Sequence, residues 1–236
     1  MEFKYQDAEM SIKDINNYLK DKRSGGNFSV IDVGASAKPH FADNCDVLLD
    51  FVTPKGAKDK KFFRGDITTE DGWKEVLEYV DQHGKFDFAV CKQTVEDLHR
   101  PEFVFQMLER VAKSGYVGVP SKYNECRRNR EGIPKSMGLS HHFWVFVTYD
   151  NKLYALPKLG WFDLIPYDQL NFTDKLARTE LGFFWNDKIH MKIVLPYTRT
   201  QWTEFPDGYL DPFLEKCING TQHPRHLWVN ILNNSD

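Results

Sequence analysis

The sequence has no long, uncharged apolar run, so it offers no candidate for a membrane-spanning helix. It has no basic excess either, because 31 lysines and arginines stand against 34 aspartates and glutamates and the formal charge is −3. Nucleic-acid-binding domains usually carry a basic surplus, so we expect neither a nucleic-acid nor a membrane partner. The opening residues, MEFKYQDAEM, lack the basic and then apolar pattern of a signal peptide, which predicts a cytoplasmic protein.

Cysteine is scarce, and no CxxC pair is present. The cysteines are Cys45, Cys91, Cys126 and Cys217. A small disulfide framework is therefore disfavoured, and we expect free thiols in a reducing compartment. Histidines with metal-ligand spacing are scarce too. His223 and His226 are three residues apart, but no third ligand accompanies them, so the sequence predicts no metal site.

Hydrophobic residues make up 41% of the 236-residue chain, enough for a substantial core. Short apolar runs alternate with amphipathic helical patterns along the first half. The predicted strands are 28–34, 46–51, 61–66, 86–91 and 116–120. Three helices are predicted. The first lies within residues 1–26, where Ser11 and Asp14 form a weak capping box and Gly25-Gly26 is the stop. The others run from Thr68 or Thr69 to Gly84 and from Pro101 to Gly115. This alternation indicates an α/β fold with a doubly wound, mainly parallel, Rossmann-like sheet covered by helices on both faces.

The chain changes character after Pro120. Residues 121–139 are predicted to form a long loop, and the aromatic run HHFWVFVTYDNKLYALP predicts a β-hairpin turning at Asp150-Asn151. KIHMKIVLP (188–196) predicts a further strand, alternating enough to be antiparallel. We find no domain boundary. We expect one domain over 1–236: an N-terminal helix (1–26), a cofactor-binding half (28–120), a substrate-side half (121–196) and a C-terminal extension (197–236).

Ligands of open parallel sheets bind beyond the carboxyl ends of the strands, and four predicted strand ends carry suitable groups. The first strand ends in Asp32-Val33-Gly34-Ala35-Ser36, where a glycine lets the backbone approach a ligand. The second ends in Asp50, which could accept hydrogen bonds from a ribose diol. The third ends in Asp66-Ile67, which could receive an adenine amino group and pack on its ring. The fourth ends in Cys91-Lys92-Gln93, which should border the reacting centre. Together these groups form a candidate adenosine site.

Several segments also resemble a known family. VIDVGASAKPH resembles the first motif of class I S-adenosylmethionine-dependent methyltransferases. VCKQTVEDL and ERVAKSGYVGVPS resemble a branch of that superfamily with RVAKxGYxxVPS-like passages. HHFWVF and FFWNDKIHMKIV look like that branch's HxFW-like strand and terminal strand. The resemblance spans roughly residues 28–195 and leaves the last forty uncovered.

The resemblance implies a single cofactor, S-adenosylmethionine, with S-adenosylhomocysteine as its product. Asp32, Gly34, Ala35 and Ser36 would then surround the methionine part of the cofactor. Asp50 would hold the ribose hydroxyls, Asp66 and Ile67 the adenine, and Cys91 would lie at the fourth strand end. The implied reaction is methyl transfer to an oxygen or nitrogen of a small molecule, such as a sugar or another metabolite.

Methyl transfer from a sulfonium can proceed mainly by proximity and alignment. A general base helps when the acceptor is a hydroxyl, and His141 and His142 are the candidates. If both lie on a strand, alternation points them in opposite directions, so at most one would face the pocket. A purely structural role for either histidine is an equal alternative.

Two other functions stay open from the sequence. The thinned glycine turn and the cation at Lys92 also suit a non-catalytic module that binds an adenosine ligand or scaffolds a partner. A nicotinamide-dependent oxidoreductase is disfavoured, because no G-x-G-x-x-G turn is present and Gly34 stands alone. The oligomeric state cannot be predicted.

Overall fold

A computed structural model describes residues 5–6, 11–55, 60–125, 138–149, 152–158 and 180–193. The strands are β1 (Tyr5–Gln6), β2 (Val30–Val33), β3 (Val47–Asp50), β4 (Lys61–Arg64), β5 (Phe88–Lys92), β6 (Ser114–Pro120), β7 (Trp144–Tyr149), β8 (Lys152–Pro157), β9 (Glu180–Asn186) and β10 (Met191–Ile193). The helices are α1 (Ile12–Ser24), α2 (Glu70–His83), α3 (Pro101–Val111) and α4 (Lys122–Glu125). The predicted extension 197–236 lies outside the described residues.

Seven strands form the large sheet, in the order β1-β9-β6-β5-β2-β3-β4. The pairs from β6 through β5, β2 and β3 to β4 are all parallel. β9 lies antiparallel to β6 over seven residue pairs, from Ser114↔Asn186 to Pro120↔Glu180, and β1 pairs antiparallel with β9. The chain winds outward from β2 to β4 and then returns to the other side of β2 as β5. The switch point of this doubly wound sheet therefore lies between β2 and β5.

The predicted Rossmann-like α/β class is confirmed, with helices on both faces of the sheet. One face packs Ile15 and Leu19 of α1 against Val30, Leu48 and Phe88. The opposite face packs α2 and α3, including Trp73 and Leu108, against the other side of the same strands. Successive strand residues alternate between these two apolar layers, which is why the strand sequences are almost continuously hydrophobic.

Helix boundaries follow from capping. The capping box predicted at Ser11 is present: its Oγ accepts the Asp14 backbone N–H at 3.1 Å and its N–H donates to Asp14 Oδ2 at 3.1 Å. Thr69 caps α2 through a 3.2 Å hydrogen bond from the Gly72 N–H.

One predicted helix bound is wrong. α3 ends at Val111 rather than near Gly115, because Gly115 already pairs with Trp185 within β6–β9. The helix predicted within 1–26 is α1, between Ser11 and Gly25, and Tyr5–Gln6 forms an edge strand before it.

A small second sheet has the order β10-β8-β7. β7 and β8 form the predicted antiparallel hairpin, with Tyr149 opposite Lys152, although Asp150 and Asn151 themselves lie outside the described residues. The prediction that the strand within 188–196 is antiparallel is wrong, because β10 runs parallel to β8. Between β8 and β10 the chain forms β9 in the large sheet. β10 then lies beside β8 and runs in the same direction.

None of the helices among the described residues is both long and apolar enough to cross a bilayer.

Candidate functional site

A pocket of about 190 Å³ opens at the carboxyl ends of β2 and β5, at the switch point of the sheet. Four of the residues predicted to bind cofactor line it, namely Asp32, Gly34, Ala35 and Ser36. Five further lining residues complete the wall: Ile12, His40, Phe41, Lys92 and Gln93. The fold therefore gathers the first predicted strand end and the end of β5 around one cavity.

The pocket wall contains three residues with left-handed backbone. Gly34, Ser36 and Gln93 have φ angles of 75°, 65° and 52°. At Gly34 a side chain is excluded twice over, because a Cβ there would also collide with the Thr94 side chain. Ser36 and Gln93 hold this conformation without glycine's freedom, which costs on the order of 1–2 kcal/mol each. Backbone strain of this kind concentrates at binding sites, where it orients main-chain groups.

Asp50, at the end of β3, fixes the turn that follows β2. Its Oδ2 accepts the Ser36 N–H at 2.8 Å, and its Oδ1 accepts the Val52 N–H at 2.6 Å. The half-buried carboxylate thus holds Ser36 in its left-handed conformation and lies directly behind the pocket wall. Each oxygen has further lone pairs, so it can still accept hydrogen bonds from a ligand hydroxyl.

Asp32 is an acid of the pocket wall whose pKa is far from its ordinary value. It is 3% exposed, and its Oδ2 has no hydrogen-bond partner among the described residues. Burial, together with the smaller effect of the negative charge of Asp50, raises the pKa of Asp32 to about 8. A buried carboxyl without a cationic partner on a pocket wall suits a ligand that brings positive charge with it.

Lys92 does not supply that charge, because a carboxylate on β9, two strands away across β6, engages it. Glu180, which is 4% exposed, forms an ion pair with Lys92 Nζ and accepts a 3.1 Å hydrogen bond from Gln93 Nε2. The Tyr116 hydroxyl donates to the other oxygen of Glu180 at 2.6 Å. A Cβ on Gly118 would press against this carboxylate, so the glycine makes room for it. This buried polar cluster fixes the end of β5 beside the pocket.

Asp66 and Ile67 follow β4, but neither lines the pocket. The exposed Asp66 uses Oδ1 to accept both the N–H of Thr68, at 2.9 Å, and its hydroxyl, at 2.6 Å. Ile67 is buried in the core, and its carbonyl accepts a 2.8 Å hydrogen bond from the Trp73 indole. Both residues shape the turn that leads into α2. Their contact with adenine stays a prediction.

Cys91 lies on the face of the sheet opposite Asp32. It is 1% exposed in the layer of α2 and α3, and burial raises the pKa of its thiol. Lys92 lines the pocket instead, because alternate residues of a strand point to opposite faces. Gln93 follows the end of β5 with left-handed backbone and lines the pocket as well.

His141 and His142 precede β7, which begins at Trp144, so the prediction that strand alternation separates them is wrong. They lie in a turn, and both imidazoles approach one carboxylate, that of Asp97. His142 is buried and its Nδ1 lies 2.6 Å from Glu125 Oε1, whereas the His141 side chain is 56% exposed.

Sequence reasoning missed several of these residues. Ser and Gln carry no signal for positive φ, so the strained positions 36 and 93 could not be recognised. Glu180 lies 87 residues from Gln93 in sequence, and only the antiparallel pairing of β9 with β6 brings them together. Ile12 carried a signal only for the core, because it shares the helical spacing of Ile15 and Leu19.

No protein-family model matches the chain, and no curated protein matches it either. Among solved structures, magnesium protoporphyrin IX methyltransferase from Synechocystis PCC 6803, with S-adenosylhomocysteine bound, is 11% identical over 50% of this chain and 64% of its own, with a TM-score of 0.35. The N-terminal domain of EvdMO1, with S-adenosylhomocysteine bound, is 12% identical over 76% of this chain and 67% of its own, with a TM-score of 0.34. An O-methyltransferase family protein from Burkholderia thailandensis is 10% identical over 47% of this chain and 40% of its own, with a TM-score of 0.32.

The matched region thus spans less than two thirds of two of these three chains. Structural matches of this extent do not indicate what activity the chain has. The geometry of the pocket is the stronger guide to its function.

Proposed function

We propose that this protein is an S-adenosylmethionine-dependent methyltransferase whose cofactor binds in the pocket between β2 and β5. The observation that carries the proposal is the pairing of a strained backbone turn, Gly34 to Ser36, with the buried carboxyl of Asp32. S-adenosylmethionine supplies an activated methyl group on a sulfonium, and it also carries an ammonium group. Either cation would give Asp32 the positive partner that the described residues do not provide.

The pocket residues would act by binding and orienting. The Gly34 turn presents main-chain groups without an intervening side chain, and Asp50 keeps that turn in place. Asp50 Oδ1 and Oδ2 also retain acceptor capacity for the ribose hydroxyls. Glu180 offsets the charge of Lys92, so that the end of β5 does not repel a cationic ligand. Orientation of this kind is the main requirement of an in-line methyl transfer.

For the acceptor, we propose an oxygen or nitrogen atom of a small molecule, such as a sugar or another metabolite. The formal charge of −3 gives no bulk electrostatic reason to expect a nucleic-acid acceptor. General-base help from His141 or His142 stays a prediction, and neither histidine is among the residues that line the pocket. Base catalysis is typically worth about 10²–10⁴-fold in rate.

The role of Asp50 can be tested by replacing it with alanine. Loss of a charged hydrogen-bond acceptor should weaken S-adenosylhomocysteine binding by about 1.5–3 kcal/mol, or roughly 10- to 150-fold. Isothermal calorimetry measures the affinity, and Asp43→Ala, an exposed aspartate in the loop before β3, is the matched control. Unchanged affinity in a folded Asp50→Ala variant would remove Asp50 from the site.

A second ligand separates direct contact from an effect through the Ser36 turn. The parent protein should bind adenosine more tightly than 2′,3′-dideoxyadenosine, because only adenosine offers hydroxyls to Asp50. The Asp50→Ala variant should lose this discrimination. Equal discrimination in both proteins would mean that Asp50 acts only by shaping the turn.

A further inference from the structure

A second group of polar side chains lies after β5, outside the pocket described above. It consists of Asp97, His141 and His142, whose nearest ligand atoms all lie within 4.8 Å of one another. The fold brings them together from two segments, and a 2.7 Å hydrogen bond from the Phe143 N–H to the Glu96 carbonyl joins those segments. Neither segment has metal-ligand spacing by itself, which is why the sequence predicts no metal here.

Hydrogen bonds fix which nitrogen of His142 faces Asp97. His142 Nδ1 lies 2.6 Å from Glu125 Oε1, and Lys158 Nζ lies 2.7 Å from Glu125 Oε2. The ion pair with Lys158 keeps Glu125 an acceptor, so His142 Nδ1 is the protonated nitrogen that donates. In the tautomer that a metal ion requires, Nε2 carries the lone pair and faces Asp97. A histidine whose other nitrogen donates to a carboxylate is the usual state of a metal ligand.

The distances around Asp97 Oδ1 are too long for hydrogen bonds. His142 Nε2 lies at 3.6 Å and His141 Nε2 at 3.9 Å, and this buried oxygen has no hydrogen-bond partner among the described residues. Ligands bound tetrahedrally at about 2.1 Å from a metal lie about 3.4 Å apart. The two distances to Asp97 exceed this value by about 0.2–0.5 Å, and the whole group lies within 4.8 Å, so movements of about an ångström would place all three atoms around one ion.

Two neutral imidazoles and one carboxylate are a typical donor set for a divalent first-row transition metal, whereas Mg²⁺ and Ca²⁺ prefer oxygen ligands alone. We infer that Asp97, His141 and His142 bind one divalent transition-metal ion of the zinc type, with Glu125 as the group that orients His142. The site stands whether or not the protein transfers methyl groups. A metal-bound Nε2 cannot also accept a proton, so in the metal-loaded protein His142 is a ligand and not a base.

The test is calorimetric titration of the chelator-treated full chain with Zn²⁺, and with Co²⁺ as a spectroscopic probe, without any adenosine ligand. The parent protein should bind one equivalent. Asp97→Asn and His142→Gln should each weaken binding by more than 100-fold, and Glu125→Gln by about 10- to 100-fold, the range for groups that orient a ligand. His83→Gln, a variant of an exposed histidine at the end of α2, should bind as the parent does.

Absence of binding in the parent protein would overturn the proposal, as would unchanged affinity in folded Asp97→Asn and His142→Gln variants. If those variants do not fold, the parent protein alone still tests the proposal. Its Co²⁺ complex should show a paramagnetically shifted, slowly exchanging imidazole N–H resonance, because His142 Nδ1–H is buried against Glu125. A stoichiometric Co²⁺ complex without such a resonance would place the metal elsewhere. Failure of this site would leave adenosine binding unaffected, so the two proposals fail separately.

Discussion

Glu180→Gln should destabilise the protein by about 3–5 kcal/mol, the usual cost of removing one partner from a buried ion pair. Glutamine is close in size but uncharged, so Lys92 would keep its charge in a half-buried position without its carboxylate partner. The hydrogen bonds that Tyr116 and Gln93 give to the carboxylate would also weaken. Because whole domains are stable by only about 5–15 kcal/mol, the loss should be plain in denaturant unfolding.

Two controls make this result specific. Glu78→Gln, on the exposed side of α2, should change the stability by less than about 0.5 kcal/mol. Lys92→Met should cost less in the Glu180→Gln background than in the parent protein, because the charge that has lost its Glu180 carboxylate is then removed. A coupling of about 0.5–3 kcal/mol is expected for such a contact. Strict additivity of the two substitutions would show that Lys92 and Glu180 do not interact.

Asp32→Asn should abolish most of the pH dependence of S-adenosylmethionine binding. With a pKa of about 8, Asp32 is mainly protonated at neutral pH, and a cationic ligand favours its ionised form. Binding should therefore release a proton below pH 8, and affinity should rise by up to about tenfold per pH unit as the pH approaches 8. Affinities measured from pH 6 to pH 9 in the parent and variant test this, with Asp43→Asn as the control. Parallel pH profiles for the parent and Asp32→Asn proteins would mean that Asp32 does not face the ligand's charge.

The same carboxyl predicts how the ligand-free protein responds to pH. Asp32 has a pKa of about 8 when folded, against about 3.9 in an unfolded chain, so the native state holds the extra proton. The stability contributed by this group is present below pH 4 and falls as the pH rises towards 8. Between pH 4 and pH 8 the stability of Asp32→Asn should therefore rise relative to that of the parent protein, by up to about 5 kcal/mol at pH 8. Thermal unfolding at pH 5 and pH 8 measures the difference.

The sequence predicts the part of the fold that depends on local pattern. The strand that became β5, for example, is a run of apolar residues before a polar break, and both Ser11 and Thr69 cap helices as predicted. The sequence did not predict that β9 joins the large sheet. Its partner β6 lies about sixty or more residues earlier, and pairing over that distance leaves no local signal. The direction of β10 was mispredicted for the same reason.

The candidate site was likewise predictable only in part. Asp32, Gly34, Ala35 and Ser36 were predictable, because one strand end carries all four and strand ends of parallel sheets meet ligands. The proximity of Asp97 to His141 and His142 was not predictable, because it depends on a turn that packs against the end of another strand. The burial that perturbs Asp32 was not predictable either, since it comes from elements contributed by several parts of the chain.

The claim that the pocket between β2 and β5 binds an adenosyl cofactor is tested most directly by calorimetry with S-adenosylhomocysteine and with NAD. We predict that one equivalent of S-adenosylhomocysteine binds, that S-adenosylmethionine competes with it, and that NAD does not bind. Gly34→Val should abolish the binding in a folded protein, because its side chain would collide with Thr94 and fill the turn. Absence of binding by either adenosyl ligand, or binding of NAD instead, would contradict the account.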